Sequence, residues 1–273
     1  MIITSDSVKI NFENFNSFDK KKDTVLLLHG FTRSLEDWRD IYTCLDGRFN
    51  YVGIDLIGHG KSDSPSDIKK YATESLVNHL GDVLNQLSIN KAILLGYSMG
   101  GRAALNFAVA YPKKIKGLIL ESTSAGIKDK KERKERIRSD EELASFIENE
   151  GTEKFAELWM NQNIFNTQRI FSEEKLQKIK RRIAKNSKSG LANMLRGFST
   201  GKMPYLTENV HLIKSPVLLI SGELDTKYCE LNTVLAKKFL NANHSVIKNA
   251  GHNTHLEEKD RFVEVLNEFF KQF

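Results

Sequence analysis

The sequence predicts an α/β domain with a mostly parallel central sheet, interrupted once by a helical insertion. Three observations carry this expectation. Short, uninterrupted apolar runs recur along the chain, amphipathic helical patterns separate them, and the alternation stops between residues 126 and 205. A strand inside a parallel sheet is covered on both faces, so it reads as continuously apolar. Strand and helix signals in alternation define the class.

The runs are Val25–Leu28, Tyr51–Ile54, Ala92–Leu95, Gly117–Leu120, Val217–Ile220 and a weaker Ser245–Ile247. Ahead of them, MIITSDSVKINFENF alternates apolar and polar residues and carries Asp6 and Glu13. That suits a strand, not a basic-then-apolar signal peptide. Helical patterns cover Leu35–Leu45, Thr73–Leu87, Ser98–Ala110, Cys229–Phe239 and Lys259–Phe270. From Gly126 to Tyr205 no strand candidate appears, and charged amphipathic stretches such as Glu141–Glu148, Glu153–Met160 and Glu173–Lys185 take over. The expected division is a core of residues 1–125 and 206–273 around a helical cap, 126–205. Pro65, Pro112, Pro204 and Pro216 all fall at element boundaries.

Composition narrows the function classes. With 40% hydrophobic and 28% charged residues among 273, the chain is globular in type. No run approaches the roughly 18 apolar residues that a membrane span needs, so membrane insertion is not expected. Cys44 and Cys229 stand far apart in no ligand spacing, which suits two free thiols and the cytoplasm. The net charge of +6 is localised: residues 126–205 hold 18 of the 41 basic and 12 of the 35 acidic residues, leaving 23 of each elsewhere. No aromatic-interleaved basic stripe accompanies that excess, so nucleic acid is not an expected partner. A solvated lysine-rich surface explains most of it, and an anionic small molecule entering beneath it is the sharper reading.

Chemistry concentrates at Gly96-Tyr97-Ser98-Met99-Gly100, between the Ala92–Leu95 strand and the helix that follows. A serine on such a turn is held strained, its hydroxyl projecting past the sheet edge, beside the free N–H groups of a helix start. This strand–turn–helix context is that of the nucleophile in an α/β-hydrolase fold. The fold also needs an oxyanion hole, supplied here by the Met99 amide and the Phe31 amide of His29-Gly30-Phe31. His29 and His59 read as loop supports.

The acid and base must follow in the order serine, carboxylate, histidine. Asp225, just past Val217–Ile220, is the expected acid, with Glu223 and Glu121 as competitors. His252, in Asn249-Ala-Gly251-His252, is the expected base, with His255 the alternative; His79, His211 and His244 read as surface or packing residues. In this arrangement His252 accepts the Ser98 proton and Asp225 fixes the imidazole tautomer.

Further stretches discriminate within the fold. They are Leu28-His-Gly-Phe31, Asp55-Leu-Ile-Gly58-His-Gly60-Lys-Ser62, Gly96-Tyr-Ser-Met-Gly-Gly-Arg102, Glu121-Ser-Thr-Ser-Ala-Gly126 and Glu132-Arg-Lys-Glu-Arg136 followed by Asp140. Phe155 with Trp159, Gly190-Leu-Ala192, Gly222-Glu-Leu-Asp225-Thr-Lys227-Tyr228 and Gly251-His-Asn-Thr-His255 complete the set. Together they resemble the 2-succinyl-6-hydroxy-2,4-cyclohexadiene-1-carboxylate (SHCHC) synthases of menaquinone (vitamin K2) biosynthesis, over about residues 25 to 262. The chain departs from the family's Gly-Thr-Gly-x-Gln-Pro pattern with Ser199-Thr-Gly201-Lys-Met203-Pro204.

The resemblance implies a lyase, not a hydrolase. Its substrate, 2-succinyl-5-enolpyruvyl-6-hydroxy-3-cyclohexene-1-carboxylate, loses a proton and then pyruvate. Ser98 would be the general base, and neither metal nor organic cofactor is implied. The substrate has three carboxylates, which guanidinium forks bind well. Arg102, one turn after Ser98, could face it. By correspondence the cap arginines are Arg136, with Arg133 as rival, and Arg182 or Arg181. Tyr97 and Trp159 would line the pocket. A monomer or homodimer is expected. The alternative is an ester or C–C-bond hydrolase working through an acyl-enzyme; a non-catalytic ligand sensor is a further class, against which the complete triad argues.

Overall fold

A computed structural model describes residues 1–273. Its strands are β1 (Ile2–Ile3), β2 (Lys9–Ile10), β3 (Phe12–Asn14), β4 (Thr24–Leu28), β5 (Asn50–Ile54), β6 (Ala92–Tyr97), β7 (Ile115–Glu121), β8 (Val217–Gly222) and β9 (Ala242–Ile247). The helices are α1 (Arg39–Tyr42), α2 (Thr73–Gln86), α3 (Met99–Ala110), α4 (Lys130–Met160), α5 (Glu173–Ala184), α6 (Lys188–Gly197), α7 (Thr226–Ala236), α8 (Thr254–Glu257) and α9 (Lys259–Phe270).

Seven strands form one sheet in the order β3-β5-β4-β6-β7-β8-β9. All neighbours run parallel except β3, which pairs antiparallel with β5. Every residue of β4, β5, β6 and β8 is buried. Along β4, Leu26 and Leu28 enter one core layer while Val25 and Leu27 enter the other. That period of two, apolar on both faces, is why these strands read as continuous runs in the sequence.

The strand order fixes where a ligand can bind. After β4 the chain crosses to β5 on one side, and after β6 it crosses to β7 on the other. The loops leaving the C-terminal ends of β4 and β6 therefore diverge and leave a crevice between them, the usual ligand position in an open α/β sheet. His29-Gly30-Phe31 and Ser98 stand on these two lips.

Between β7 and β8 the chain forms no strand; three α elements, two 3-10 segments and the loops joining them fill the interval. Two details differ from the sequence reading. The helix expected at 141–148 extends N-terminally to Lys130, while Gly151 (φ 86°, ψ 169°) breaks the helical path and leaves the 153–160 stretch a separate helix as expected; the two are labelled together as α4. The Asp129 carboxylate caps that extension by accepting from the Lys131 and Glu132 amides, at 2.9 and 2.8 Å. Helix α6, capped by Ser187, was hidden by its shortness and by Gly190 at its start. Three layers of the cap meet in a small core of its own, including Ile147, Phe155, Ile183 and Leu191.

Two other elements are shorter than expected. The N-terminal strand splits into three because the chain turns at Ser7 (φ 67°), and β1 and β2 pair only with each other. The 35–45 helix shrinks to a 3-10 turn at Leu35–Trp38 and the single turn α1. Its start is pinned to the sheet, where the Leu35 amide donates to the Asp55 carboxylate at 2.8 Å.

Candidate active site

Ser98 sits between β6 and α3 with φ 49° and ψ −104°, a backbone conformation that L-residues rarely adopt. Two backbone bonds hold it there. Its amide donates to the Glu121 carbonyl at 2.8 Å, and its own carbonyl accepts from the Arg102 amide at 3.0 Å. The turn also needs close approach: a Cβ on Gly100 would stand 2.3 Å from the Leu28 carbonyl oxygen. Glycine there lets the start of α3 lie against the end of β4, bringing the two lips of the crevice together.

The Ser98 hydroxyl lies 3.1 Å from His252 Nε2, and His252 Nδ1 lies 2.6 Å from the Asp225 carboxylate. The three side chains come from loops after β6, β8 and β9, whose C-terminal ends lie in one half of the sheet with β7 between β6 and β8. Gly222 makes that possible on the acid side, since a Cβ there would meet the Gly251 carbonyl oxygen at 2.1 Å. His252 and Asp225 are both almost fully buried. Such a chain can take a proton from the serine and return it.

Met99 opens α3, so its amide has no carbonyl to reach within the helix, and neither it nor the Phe31 amide donates to any group in the protein. Both N–H groups are free for an oxygen beside Ser98.

The competitors have other work. Glu121 Oε2 is 2.6 Å from His255 Nδ1, and its Oε1 accepts from Thr254 Oγ1 at 2.7 Å, all buried. Glu223 accepts from the Asn249 amide at 3.2 Å. His29 donates from Nδ1 to the Gly30 carbonyl and accepts the Leu56 amide at Nε2, tying the β4 loop to the β5 loop. Burial lowers its pKa, and lowers that of His59 to about 3, so both rings stay neutral supports.

A cavity of about 100 Å³ opens on the hydroxyl, lined by Phe31, Tyr97, Ser98, Met99, Arg102, Arg136, Trp159 and His252 among others. Arg136, Thr200 and Tyr228 also line a second cavity, of about 580 Å³. Arg102 donates to the Phe198 carbonyl at 3.1 Å, with its guanidinium carbon 5.3 Å from that ring's centroid. Loss of water, reinforced by the like charge of Arg136, lowers the Arg102 pKa to about 10, which leaves it cationic at neutral pH. Desolvation acts on Arg136 too, but the Asp140 carboxylate, 2.7 Å from its Nε, outweighs it and raises its pKa. Trp159 packs edge-on against Phe31, ring centroids 5.3 Å apart, and against Phe165 at 5.6 Å.

The cap arginines separate cleanly. Arg133 is spent on the cap backbone, donating to the Gly201 and Lys202 carbonyls at 2.7 and 3.1 Å. Arg182 corrects the sequence reading, because it does not reach the Ser98 cavity. Helix α5 turns Ile179 and Ile183 into the cap core, which aims Arg182 outward at Asp37, 3.2 Å away. It lines a polar cavity with Arg33, Asp37 and Lys185 instead, and its rival Arg181 is exposed. Met203, at the departure from the family pattern, is fully buried in the main core and is not among the residues lining the Ser98 cavity.

Sequence reasoning missed several lining residues. Tyr228 stacks obliquely near His252, centroids 4.7 Å apart, and burial raises its phenol pKa. Its position three residues after Asp225, on the first turn of α7, was a usable signal. Ser199, almost fully buried, lines the same cavity with an unpartnered hydroxyl. Phe165 and Phe198 gave no local signal, since only the folded cap brings them to the serine.

The chain is also similar to known proteins. Residues 23–259 match the alpha/beta hydrolase fold family model, and the chain belongs to that family. Within it the chain belongs with the SHCHC synthases. It is 40% identical over 248 residues, 90% of each chain, to a Bacillus subtilis (strain 168) protein provisionally named 2-succinyl-6-hydroxy-2,4-cyclohexadiene-1-carboxylate synthase. The enzyme of that name from Enterobacter sp. (strain 638) is 30% identical over 85% of this chain and 86% of its own. The structure of MenH from S. aureus superposes with a TM-score of 0.90 at 30% identity, covering 96% of this chain and 98% of that one.

Proposed function

We propose that the protein is an SHCHC synthase of menaquinone biosynthesis, eliminating pyruvate from 2-succinyl-5-enolpyruvyl-6-hydroxy-3-cyclohexene-1-carboxylate. The observation that carries this is the pairing of a complete Ser98–His252–Asp225 chain with two arginines, Arg102 and Arg136, in one small cavity. A hydrolase of neutral esters has no use for two cations lining one small cavity. A polycarboxylate does, because planar guanidinium groups bind it through charge-assisted hydrogen bonds.

In the proposed reaction His252 takes the Ser98 proton, and Ser98 Oγ removes the ring proton beside the succinyl carbonyl. The electron pair moves toward that carbonyl oxygen, which the Phe31 and Met99 amides stabilise as an enolate. The pair then returns through the ring double bond and expels the enolpyruvyl oxygen. That fragment takes up a proton to become pyruvate, and the cyclohexadiene product forms. Asp225 holds the imidazole tautomer and offsets its charge. Arg102 and Arg136 hold substrate carboxylates, Trp159 and Tyr97 close the walls, and Arg182 takes no part.

This reading treats residues 126–205 as a substrate-covering cap on a core of 1–125 and 206–273. It places the enzyme in the cytoplasm, as a monomer or homodimer with an anionic small-molecule substrate. No helix is long and apolar enough to cross a membrane. The test is a coupled pyruvate assay on the cyclohexene substrate beside p-nitrophenyl acetate. Pyruvate release with poor ester turnover is expected. Fast ester turnover with a burst, and no pyruvate, would establish the hydrolase instead.

A further inference from the structure

His252 sits in a short loop held by two carboxylates. On the far side Glu121 accepts from Thr254 Oγ1 and from the His255 amide, at 2.7 and 3.0 Å, and faces His255 Nδ1. The Glu121 carbonyl also receives the Ser98 amide. This anchor therefore belongs wholly to the sheet, and ties serine and histidine loop to one strand end.

The second anchor is closer to the base. Glu257, on α8, accepts the Gly251 amide at Oε2 (2.6 Å) and the Asn253 amide at Oε1 (3.2 Å). One carboxylate thus holds the backbone on both sides of His252. Its Oε1 also accepts from Gln168 Nε2 at 3.3 Å. Gln168 is fully buried and belongs to the 3-10 segment Asn163–Ile170 of the cap. The same segment carries Phe165, whose ring lies 6.4 Å, edge-on, from the His252 imidazole. A Cβ on Gly251 would stand 2.1 Å from Thr167 Oγ1, so cap and histidine loop are in close contact here.

We infer that Glu257 is a positioning residue for His252, and that through Gln168 it makes the placement of the base depend on the seating of the cap. Proton transfer between Ser98 and His252 needs hydrogen-bond geometry, and a misplacement of about 1 Å can cost on the order of 100-fold in rate. A glutamine at 257 cannot accept through both of its side-chain heads, so one flanking amide loses its partner. Glu257 touches no reacting atom; it acts through the loop.

The inference rests on Ser98 and His252 working as a pair, and its test does not need the proposed substrate. Ser98 labelling by diisopropyl fluorophosphate, a small neutral reagent, reads that pair directly. Glu257→Gln is expected to slow labelling about 10- to 30-fold, and to lower kcat for pyruvate release similarly with KM within about twofold. Gln168→Leu, which keeps volume and leaves the sheet side intact, is expected to slow both by about three- to tenfold. Wild-type labelling in a folded Glu257→Gln protein would overturn the positioning role. Wild-type labelling in Gln168→Leu, or a change confined to KM, would overturn the link to the cap. If the wild-type protein is labelled but releases no pyruvate, the reaction assignment fails while the labelling series still decides this one.

Discussion

The two walls of the Ser98 cavity are built differently. On the sheet side Ser98, Met99, Phe31, Asp225 and His252 leave strand ends, with short backbone bonds and two carboxylate anchors, Glu121 buried and Glu257 partly buried, fixing them. On the cap side Arg136 and Trp159 are long side chains on α4, over a core far smaller than either layer beside the sheet. Much of the cap's remaining bonding lies near the surface, as where Arg196 bridges Glu141 and Glu148. Exposed ion pairs of this kind contribute little, roughly 0 to 1 kcal/mol each. Under the proposed function this contrast is a division of labour: one wall holds a single geometry for the chemistry, and the other supplies side chains for recognition.

That division is broken most forcefully on the sheet side. Asp225→Asn should lower kcat by roughly 10⁴-fold with little change in the fold, since it presents the wrong partner to His252 Nδ1. Stopped assays of pyruvate release check it, and a loss under tenfold would mean the acid is not needed. Arg102 belongs to the sheet by position and to recognition by chemistry. Arg102→Ala should therefore raise KM and lower kcat together, cutting kcat/KM by about 10²- to 10³-fold as one buried charge contact is lost. Unchanged kcat/KM would remove Arg102 from the site.

Smaller effects sharpen the cap side. Trp159→Leu should raise KM about three- to tenfold and leave kcat nearly intact, because it trims a wall and not a reacting group. An equal fall in kcat would place Trp159 with the chemistry. Arg182→Ala should leave kcat and KM within about twofold, since its carboxylate partner is Asp37 and the pair is partly solvated. A tenfold rise in KM would show that Arg182 swings into the cavity when substrate binds.

Much of this was legible in the sequence, for identifiable reasons. Doubly covered strands announce themselves as apolar runs, so β4 to β8 were readable, and the serine turn marks itself by its glycines. Asp225 and His252 follow from chain order once the strands are placed. The cap was legible only as helical. The outward face of Arg182 depends on which side of α5 the small cap core claims. No local pattern encodes that. Glu257 was invisible for a related reason, since its partners are main-chain amides of a neighbouring loop and a cap glutamine.

The central claim is that Ser98 removes a proton and is never acylated. Intact-mass measurement of the enzyme, quenched during steady-state turnover of the succinyl-enolpyruvyl cyclohexene carboxylate, tests it most directly. Unmodified protein is expected while pyruvate accumulates, and no pyruvate from Ser98→Ala. A substrate-derived mass on Ser98 that forms and decays at the turnover rate would contradict it.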